Sequence, residues 1–532
     1  MKFIKKAMKW KPPAPVQGEG KENMIQTEPL KENLQENINK IKTTLGHSED
    51  IIVREMKLGS EQTINIALFY TDGLSDTQSV QEFIIEPLML NIRGTEWERK
   101  IAAGHNSYEL LQEFILSVGD IQPITDYDEL FTALLSGNTI FLLEGCSKGF
   151  SIGLTAWEDR GVTEPSAQTV IRGPREGFSE TLRTNTALIR RKIKDQHLWL
   201  ENKKIGRRTK TNVSIMYIKG VANDKIVQEV HARLDRIDID GILESGNIEE
   251  LIEDEVYSPW PTVYNTERPD VVAASLLEGR IAILVDGTPF VLLVPALFIQ
   301  YFQAAEDYYH RSDFGLIRML RYLCFFIALM APSLYIAITT YHQEMLPTPL
   351  LISLAAQREG VPFPAFIEAL MMEVAFEILR EAGVRMPRAV GQAISIVGAL
   401  VIGQAAVEAG IVSAAMVIVV SITAIANFVL PSFNIAIAVR MLRFILMGLA
   451  AAFGLFGILV GLVAMLLHLS SLRSFGVPYM SPFAPFILSE QKDGIFRAPI
   501  WKWSSRPRYI TKGNSVKANT PPPSKPKTRN SN

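Results

Sequence analysis

Long runs of apolar side chains between Gly315 and Phe483 constrain the fold of this chain more than any other feature. The hydrocarbon core of a bilayer is about 30 Å thick, so a helix that crosses it needs about 20 apolar residues. Runs of that length are Leu316–Tyr341, Val390–Gly410, Ile411–Leu430 and Phe444–Leu469. The sequence therefore predicts a helical membrane region.

The overall composition, with 21% charged residues and a net charge of −2, hides a strong partition along the chain. Charged residues crowd the first 320 positions, and the stretch after Ala498 is polar and basic. We expect an α/β soluble N-terminal domain of two related subdomains, followed by an all-α polytopic membrane domain. The predicted boundaries are a disordered polar arm at 1–45, soluble subdomains at 46–170 and 171–310, a transmembrane domain at 311–485 and a basic cytoplasmic tail at 486–532.

An internal repeat supports the two related subdomains. Aligning Tyr70 with Tyr217 also aligns Gly73 with Gly220, each after an apolar strand. Later in each copy, aligning Gly137 with Gly279 places Gly145 on Gly287, in a turn between two further apolar runs. Each copy thus predicts a strand, a glycine turn, a helix and a strand pair around an acidic-glycine turn. Chance similarity between short β-turn-α segments is the alternative.

Between the copies, Ile171–Ile193 combines a glycine-rich loop with several charged residues. A loop that opens a helix can hold an anion on free N–H groups, but the spacing matches neither a Walker loop nor a dinucleotide fingerprint. The arginines can bind anions, pair with acidic helices of a neighbour or be solvated. The candidate subunit contacts are Arg175, Glu180, Arg190 and Arg191.

The segment Ala365–Ala382 predicts an amphipathic helix. At 100° per residue, Glu373 and Glu377 share one face, whereas Glu368 points into the apolar side. Acids on one face are costly against lipid tails, so the helix either lies in the interface plane or turns its acidic stripe to water in a pore. Both readings stay open.

The next apolar run combines small residues with polar ones. Small residues every four positions allow close helix approach, and polar groups at membrane depth normally face the bundle or a water path. The candidate helix-packing residues are Gly391, Ser395, Ala399, Gly403, Gly457 and Gly461. The candidate ion path comprises Glu368, Glu373, Glu377, Gln392, Gln404 and Glu408.

The positive-inside rule gives conflicting topologies. Four spans put both termini inside but place Arg385, Arg388, Arg440 and Arg443 outside. If Ala365–Ala382 also crosses, those arginines move inside but the basic tail moves out. We favour four spans, with Ala365–Ala382 flat or re-entrant, and expect the arginines at the start of the first span to snorkel to the interface.

Catalytic, cofactor and metal sites are not predicted. Cys146 and Cys324 form no metal or disulfide motif, and the seven histidines are scattered singly. A membrane-anchored enzyme is therefore disfavoured, and a carrier would require inverted repeats that the membrane half lacks. Met1–Trp10 lacks the apolar core of a secretory signal, so we expect a cytoplasmic N-terminal domain. Nucleic acid is not an expected partner.

Several long stretches resemble the A subunits of GerA-type spore germinant receptors. They are IRGPREGFSETLRTNTALIRRKI, SPWPTVYNTERPDVVAASLLEGRIAILVDGTPFVLLVP, HQEMLPTPLLISLAAQREGVPFP and VGALVIGQAAVEAGIVSAAMVIVVSITAIANF. The resemblance spans about residues 50–490 and extends to the related stage V sporulation AF-type proteins. The resemblance identifies the superfamily specifically, but it distinguishes less well between these two classes.

The resemblance implies a location in the spore inner membrane and assembly with a transporter-like B subunit and a lipoprotein C subunit. It also implies that small nutrients trigger release of monovalent cations from the spore core. In that family the A subunit oligomerises and forms the ion path, and the B subunit binds the nutrient. The alternative functions are an AF-type protein that assists germination and a carrier-type transporter.

Overall fold

A computed structural model describes residues 28–521, except for 59–63, 91–120, most of 156–171, 310–313, 386–402 and several single positions after 495. The chain divides into two compact units. The first comprises Met1–Glu158 with Lys194–Gln196, and the second comprises Asp159–Ile193 with His197–Asn532. The second unit therefore holds both a sheet subdomain and the helical region.

The first unit contains a five-stranded sheet between two layers of helices. Its strands are β1 (Ile51–Leu58), β2 (Ile64–Thr71), β3 (Ile121–Ile124), β4 (Thr139–Leu143) and β5 (Gly149–Ile152), in the order β1-β2-β4-β5-β3. Helices α1 (Leu34–Thr44) and α2 (Tyr127–Leu135) bury their apolar faces on one side. A helical segment over residues 77–90, with a π-helical centre at Val80–Ile85, covers the other.

The polar arm predicted at 1–45 was expected to run into a helix near Glu32–Leu45, and α1 lies within those bounds. Leu34, Ile38 and Ile41 of α1 are buried in the core of the first unit, because their 3–4 residue spacing places them on one face of the helix. Asn33 accepts a hydrogen bond from the Glu36 N–H and caps the helix. Residues 1–27 of the arm lie outside the described residues.

The second unit contains a second five-stranded sheet. Its strands are β6 (Leu198–Ile205), β7 (Thr211–Ile218), β8 (Tyr264–Thr266), β9 (Ile281–Val285) and β10 (Val291–Val294), in the order β6-β7-β9-β10-β8. The accompanying helices are α3 (Leu182–Lys192), α4 (Asp224–Asp235), α5 (Ser245–Ile252) and α6 (Pro269–Leu277).

The two sheets share one topology, as the sequence repeat predicts. The strand orders correspond one to one, and every strand pair in the described residues is antiparallel. The aligned glycines also adopt matching left-handed conformations. The φ angles are 82° and 84° at Gly73 and Gly220, and 95° and 91° at Gly137 and Gly279. Glycine occupies these turns because other residues rarely adopt positive φ.

The helical region consists of α7 (Phe314–Tyr341), α8 (Thr348–Arg358), α9 (Ala365–Arg385), α10 (Ala414–Phe428) and α11 (Phe433–Ser471). Among the described residues, Gly315–Tyr341 and Phe433–Ser471 are long and apolar enough to cross a membrane, and Ala414–Phe428 is apolar but shorter. The run Val390–Gly410 lies largely outside the described residues. The start of α7 packs against the second sheet subdomain through Phe325, which contacts Trp260 and Phe298.

The fourth apolar run is not one straight helix, because α11 reverses direction at Gly454. The φ and ψ angles there are 60° and −140°. A Cβ placed on Gly461 would lie 2.6 Å from Cδ2 of Leu446. In a straight helix these residues would be about 22 Å apart at 1.5 Å per residue. Residues 433–453 and 455–471 therefore form a hairpin, with Tyr341 donating to the Ala451 carbonyl at 2.6 Å beside the turn.

The expectation that Ala365–Ala382 lies flat or re-entrant concerns the membrane and stays a prediction; within the bundle, α9 runs alongside α10. Near its start, Glu368 accepts hydrogen bonds from Ser413, the N-cap of α10. Near its end, the guanidinium of Arg380 lies 5.1 Å from the Phe428 ring, at the last residue of α10. The first residues of α9 and α10 lie together, and so do their last residues, so the two helices run parallel.

The helical region begins and ends at the second sheet subdomain. After α11, Ser474 donates to the Thr262 carbonyl at 2.7 Å and accepts from the Ala296 N–H at 2.9 Å. The predicted basic tail is also packed in its described part. Ile510 is buried in the subdomain core, and Lys517 pairs with Glu278 at 3.0 Å. One hydrophobic core therefore continues across the domain boundary predicted at residue 310.

The hairpin at Gly454 predicts that cysteines at positions 446 and 461 form a disulfide. In a background of Cys146→Ser and Cys324→Ala, we expect Leu446→Cys with Gly461→Cys to cross-link within one chain after mild oxidation. The measurement is maleimide labelling of remaining thiols followed by mass spectrometry. The control is Leu446→Cys with Val460→Cys, since the exposed Val460 points about 100° away around the helix. Equal labelling of the two pairs would refute the hairpin.

Glu253, at the C-terminal end of α5, predicts a pH dependence of stability. Burial, reinforced by the negative charges of Glu249, Glu250 and Asp254, raises the pKa of Glu253 to about 7. In the unfolded chain the carboxyl titrates near its ordinary value of about 4.3. The folded state therefore retains a proton that the unfolded state releases, and stability falls as pH rises between these two values.

Glu253→Gln should remove this fall, because the amide stays neutral at every pH. Relative to the parent chain, we expect the variant to gain on the order of 1–3 kcal/mol between pH 5 and pH 8. Thermal unfolding of the detergent-purified chain at both pH values tests this. Glu255→Gln serves as the control, since Glu255 is exposed nearby. A parallel pH dependence in the parent and Glu253→Gln would contradict the prediction.

Candidate functional site

Two acids of α9 lie in a charged layer with two arginines of α11. Glu373 pairs with Arg443 at 3.0 Å, and both side chains are at most 2% exposed. One turn later, Glu377 pairs with Arg440 at 2.6 Å and lies 3.6 Å from Arg443. The spacing matches because residues four apart on α9 and three apart on α11 each project from one helix face. The layer has no net charge.

Such a layer is costly in an apolar bundle unless the pairs stay intact. Removing a buried charge from water costs several kcal/mol per ion, and close pairing with the partner repays this cost only in good geometry. Breaking a buried pair leaves an uncompensated charge and typically costs about 3–5 kcal/mol. The four side chains therefore hold α9 and α11 in one register.

Glu368 occupies a separate site at the other end of α9. It is fully buried and accepts hydrogen bonds from the backbone N–H of Ser413 at 3.0 Å and from its hydroxyl at 2.9 Å. Arg358 of α8 lies 3.4 Å from the other carboxylate oxygen. Because Ser413 begins α10, the carboxylate faces the positive end of that helix dipole. Glu368 thus joins α8, α9 and α10.

Two further predicted ion-path residues, Gln404 and Glu408, do not join the charged layer. Gln404 and Glu408 are exposed and hydrogen bond to each other at 2.8 Å, one turn apart. Gln392 lies outside the described residues. The structure therefore separates the five described candidates into the paired acids of α9, the buried Glu368 and an exposed pair at 404 and 408.

Three of the six predicted packing residues can be placed. Gly403 is buried, and a Cβ there would lie 3.6 Å from Cγ1 of Val417 on α10. Gly457 and Gly461 face the first half of their own helix, since a Cβ on Gly457 would overlap the Leu449 carbonyl. Gly391, Ser395 and Ala399 lie outside the described residues.

The predicted subunit contacts differ in their accessibility. Arg190 is buried within the chain, so it is not available to a neighbour, and this part of the prediction is wrong. Its position in α3 explains the burial, because α3 packs beneath the loop at 174–180 in the second unit. Arg191 is partly buried and lies 3.5 Å from Glu176. Arg175 and Glu180 are exposed.

Sequence reasoning missed the partners of the buried charges. The arginines at the start of the first span were expected to snorkel, but Arg318 is fully buried and binds Asp307 at 2.8 Å and Asp493 at 2.7 Å. Arg321 also binds Asp307, at 2.9 Å. For the α9–α11 layer the available signal was spacing, since its two acids are four residues apart and its two arginines are three residues apart. Among the described residues, no group of acids, histidines and cysteines is placed to hold a metal ion.

A cycle of substitutions tests whether Glu373 and Arg443 act as a pair. Glu373→Gln and Arg443→Met should each lower the thermal midpoint of the purified chain by several degrees, because each leaves a buried charge without its main partner. The double variant should lose much less than the sum. Glu381→Gln, which breaks the exposed pair with Arg385 on the same helix, should change stability by less than about 0.5 kcal/mol. Additive losses would show that the pair carries no coupling.

Comparison with known proteins gives one family. A profile described as "Bacillus/Clostridium GerA spore germination protein" matches residues 39–509. The chain is 51% identical to "Spore germination protein KA" of Bacillus subtilis, over 91% of this chain and 88% of that protein. It is 31% identical to "Stage V sporulation protein AF" of the same organism, over 83% of this chain and 87% of that protein.

Among solved structures, the crystal structure of the N-terminal domain of the A subunit of the Bacillus megaterium spore germinant receptor GerK3 is 42% identical to this chain. The match covers 52% of this chain and 99% of that domain, with a TM-score of 0.42.

Proposed function

The chain belongs to the GerA family of spore germination proteins, and from this premise we propose that it is the membrane subunit of a germinant receptor. In this role a small nutrient triggers germination, and copies of the chain assemble around a path that releases monovalent cations. The proposal of an ion path rests on one observation, the charged layer formed by Glu373, Glu377, Arg440 and Arg443. Ionisable groups inside an apolar bundle are costly and commonly mark an ion pathway.

In this proposal the acidic stripe of α9 lines the path, and the arginines of α11 hold it in the resting state. Glu373 is buried, Glu377 is partly exposed and Glu381 is exposed, so the stripe extends from the bundle interior to its surface. A carboxylate paired with arginine attracts cations weakly. Separation of α9 from α11 would free the carboxylates, and a ring of them in an oligomer would concentrate cations and exclude anions.

The arrangement of the helices supports a topology that satisfies the positive-inside rule. The sheet subdomain, the start of α7 and the described tail lie at one end of the helical region. Arg440 and Arg443 lie in the half of α11 that begins at this end. The reversal at Gly454 adds one membrane crossing to this proposed topology, which the sequence did not predict. We therefore propose that this end faces the cytoplasm and that α9 crosses the spore inner membrane.

Partners follow from the receptor role. The relatives named as germination proteins include receptor A subunits, so we propose a transporter-like B subunit and a lipoprotein C subunit, with a homo-oligomer of this chain. The exposed Arg175 and Glu180 stay candidate contacts in such an assembly. An AF-type assisting role is the second candidate. The 51% identity to protein KA against 31% to protein AF favours the receptor subunit.

A pair-preserving exchange tests the ion path more sharply than neutralisation. Glu373→Arg combined with Arg443→Glu keeps one buried pair but moves the carboxylate from α9 to α11. We expect potassium release from nutrient-treated spores to fall at matched protein abundance, and to fall further at low ionic strength, where screening is weaker. Glu373→Gln with Glu377→Gln should also reduce release. Glu255→Gln, at an exposed acid of the second sheet subdomain outside the stripe, provides the abundance-matched control for a single lost charge.

Normal potassium release from the exchanged variant at both low and high salt would exclude the α9 carboxylates as the path lining. The receptor role is tested separately by deleting the gene. Loss of the response to particular nutrients supports a receptor subunit, whereas slower responses to all nutrients support an AF-type role.

A further inference from the structure

The two sheet subdomains have the same site at one end, but different parts of the chain fill it. In the first subdomain the site lies beside Gly137, where an added Cβ would lie 3.2 Å from Cγ2 of Thr155. In the second subdomain it lies beside Gly279, where an added Cβ would lie 2.9 Å from Cγ2 of Thr511. A threonine methyl group therefore packs on the same position of the sequence repeat in both subdomains.

The backbone pairing of the two threonines is equivalent as well. Thr155 forms an isolated antiparallel bridge with Ser75, and Thr511 forms one with Ala222. Ser75 and Ala222 correspond in the repeat, each just before the N-cap of the following helix. The residue before each threonine is apolar and packs against the core of its own subdomain. Each site thus accepts an apolar residue followed by threonine.

The two threonines reach their sites by different routes along the chain. Thr155 comes three residues after the end of β5, so the first subdomain fills the site with its own continuing chain. In the second subdomain, the chain after β10 instead enters the 3₁₀ turn Phe298–Phe302 and then α7. Thr511 comes from the tail, after the whole helical region. The second subdomain therefore receives from the tail an element that the first subdomain supplies itself.

Hydrogen bonds within the second subdomain hold the walls of this site. The N–H groups of Val221 and Ala222 both donate to the Ile218 carbonyl, at 3.2 Å and 2.9 Å. On the other side, the N–H of Gly279 donates to the Leu276 carbonyl at 2.9 Å. The tail takes no part in these bonds. A site that is formed in advance binds a segment without a large ordering cost of its own.

Residues 505–511 of the tail, which we call the strap, make a small contact with the subdomain. Ile510 is fully buried in the core of the subdomain. Arg506 donates through its Nε to the Leu277 carbonyl at 2.8 Å. The neighbouring Tyr509 is 41% exposed. The strap thus attaches mainly through Ile510 and the threonine that follows it.

We propose that the second sheet subdomain binds the strap as a detachable ligand, supplied by the chain's own C-terminal segment. The subdomain keeps its fold when the strap leaves, because its sheet and the walls of the site are bonded without it. Earlier in the tail, Asp493 binds Arg318 of α7 at 2.7 Å. An attached strap therefore fixes the tail at two points, on α7 and on the subdomain.

A specific protease site inserted after Ser504 tests this in the full-length chain, because the strap is then cut from the folded protein. After cleavage, we expect repeated gel filtration in detergent to remove the C-terminal fragment and to leave the thermal transition of the remaining chain. A fluorescent peptide of residues 505–518 should then bind the cut chain saturably, as measured by anisotropy. The uncut chain should bind it at least about tenfold more weakly, because its own strap occupies the site at a high effective concentration.

Matched substitutions assign the binding to the predicted contact. In the peptide, Ile510→Asp should weaken binding about tenfold or more, since it places a charge at a buried apolar position. Tyr509→Asp adds the same charge at the exposed neighbour and should leave binding unchanged. In the uncut full-length chain the effects reverse. Ile510→Asp should release the strap and let the chain bind the parent peptide as the cut chain does, whereas Tyr509→Asp should keep the site closed.

Loss of the folded transition after cleavage would overturn the proposal, because the strap would then be an integral part of the subdomain. A fragment that stays bound through repeated gel filtration would contradict its detachment. No binding of the peptide to the cut chain, or equal binding to the cut and uncut chains, would exclude this site. Equal effects of Ile510→Asp and Tyr509→Asp would do the same, and this comparison in the uncut chain does not require the inserted protease site.

Discussion

The arrangement of the helical region depends on the pairing of charges that are fully or largely buried. Arg318, at the start of α7, is fully buried and binds Asp307 before the helix and Asp493 after α11. Arg321 reinforces the contact with Asp307 and also donates to the Phe302 carbonyl at 3.1 Å. Losing one member leaves the others in an apolar setting at a cost of several kcal/mol. Segments that are distant in sequence are consequently held to a single arrangement.

This network and the α9–α11 layer are connected by packed side chains. Arg321 also lines a cavity of about 510 Å³ in the second unit, to which residues 428–431 contribute as well. The Phe428 ring in turn contacts the guanidinium of Arg380 on α9, one turn beyond Glu377. Contiguity alone does not establish energetic coupling. The loop at residues 428–431 nevertheless contacts both the cavity and α9, so a change in the cavity volume or in the position of α9 would displace this loop.

The sequence predicted elements whose causes are local, and failed where distant residues decide. The repeat aligned Gly73 with Gly220 and Gly137 with Gly279, because a turn with positive φ selects glycine independently of its surroundings. The apolar run from Leu316 to Tyr341 was likewise sufficient to predict α7. The acids Glu373 and Glu377 were identified, but their partners were not, because pairing with Arg443 and Arg440 depends on how two helices pack. The turn at Gly454 was not predicted, since a reversal within a continuous apolar run leaves no polar interruption in the sequence.

The segment that follows α11 has a consequence for the order in which the protein folds. Ser474 supplies the partner of the Ala296 N–H and of the Thr262 carbonyl, and Phe475 donates its N–H to Asp254 at 2.7 Å. During synthesis these groups of the second sheet subdomain leave the ribosome before any residue of the helical region. Domains usually fold as they emerge, N-terminal first. Here the last contacts of a subdomain that is made early form only after residue 475 has been made, so a chain that stops within the helices lacks them.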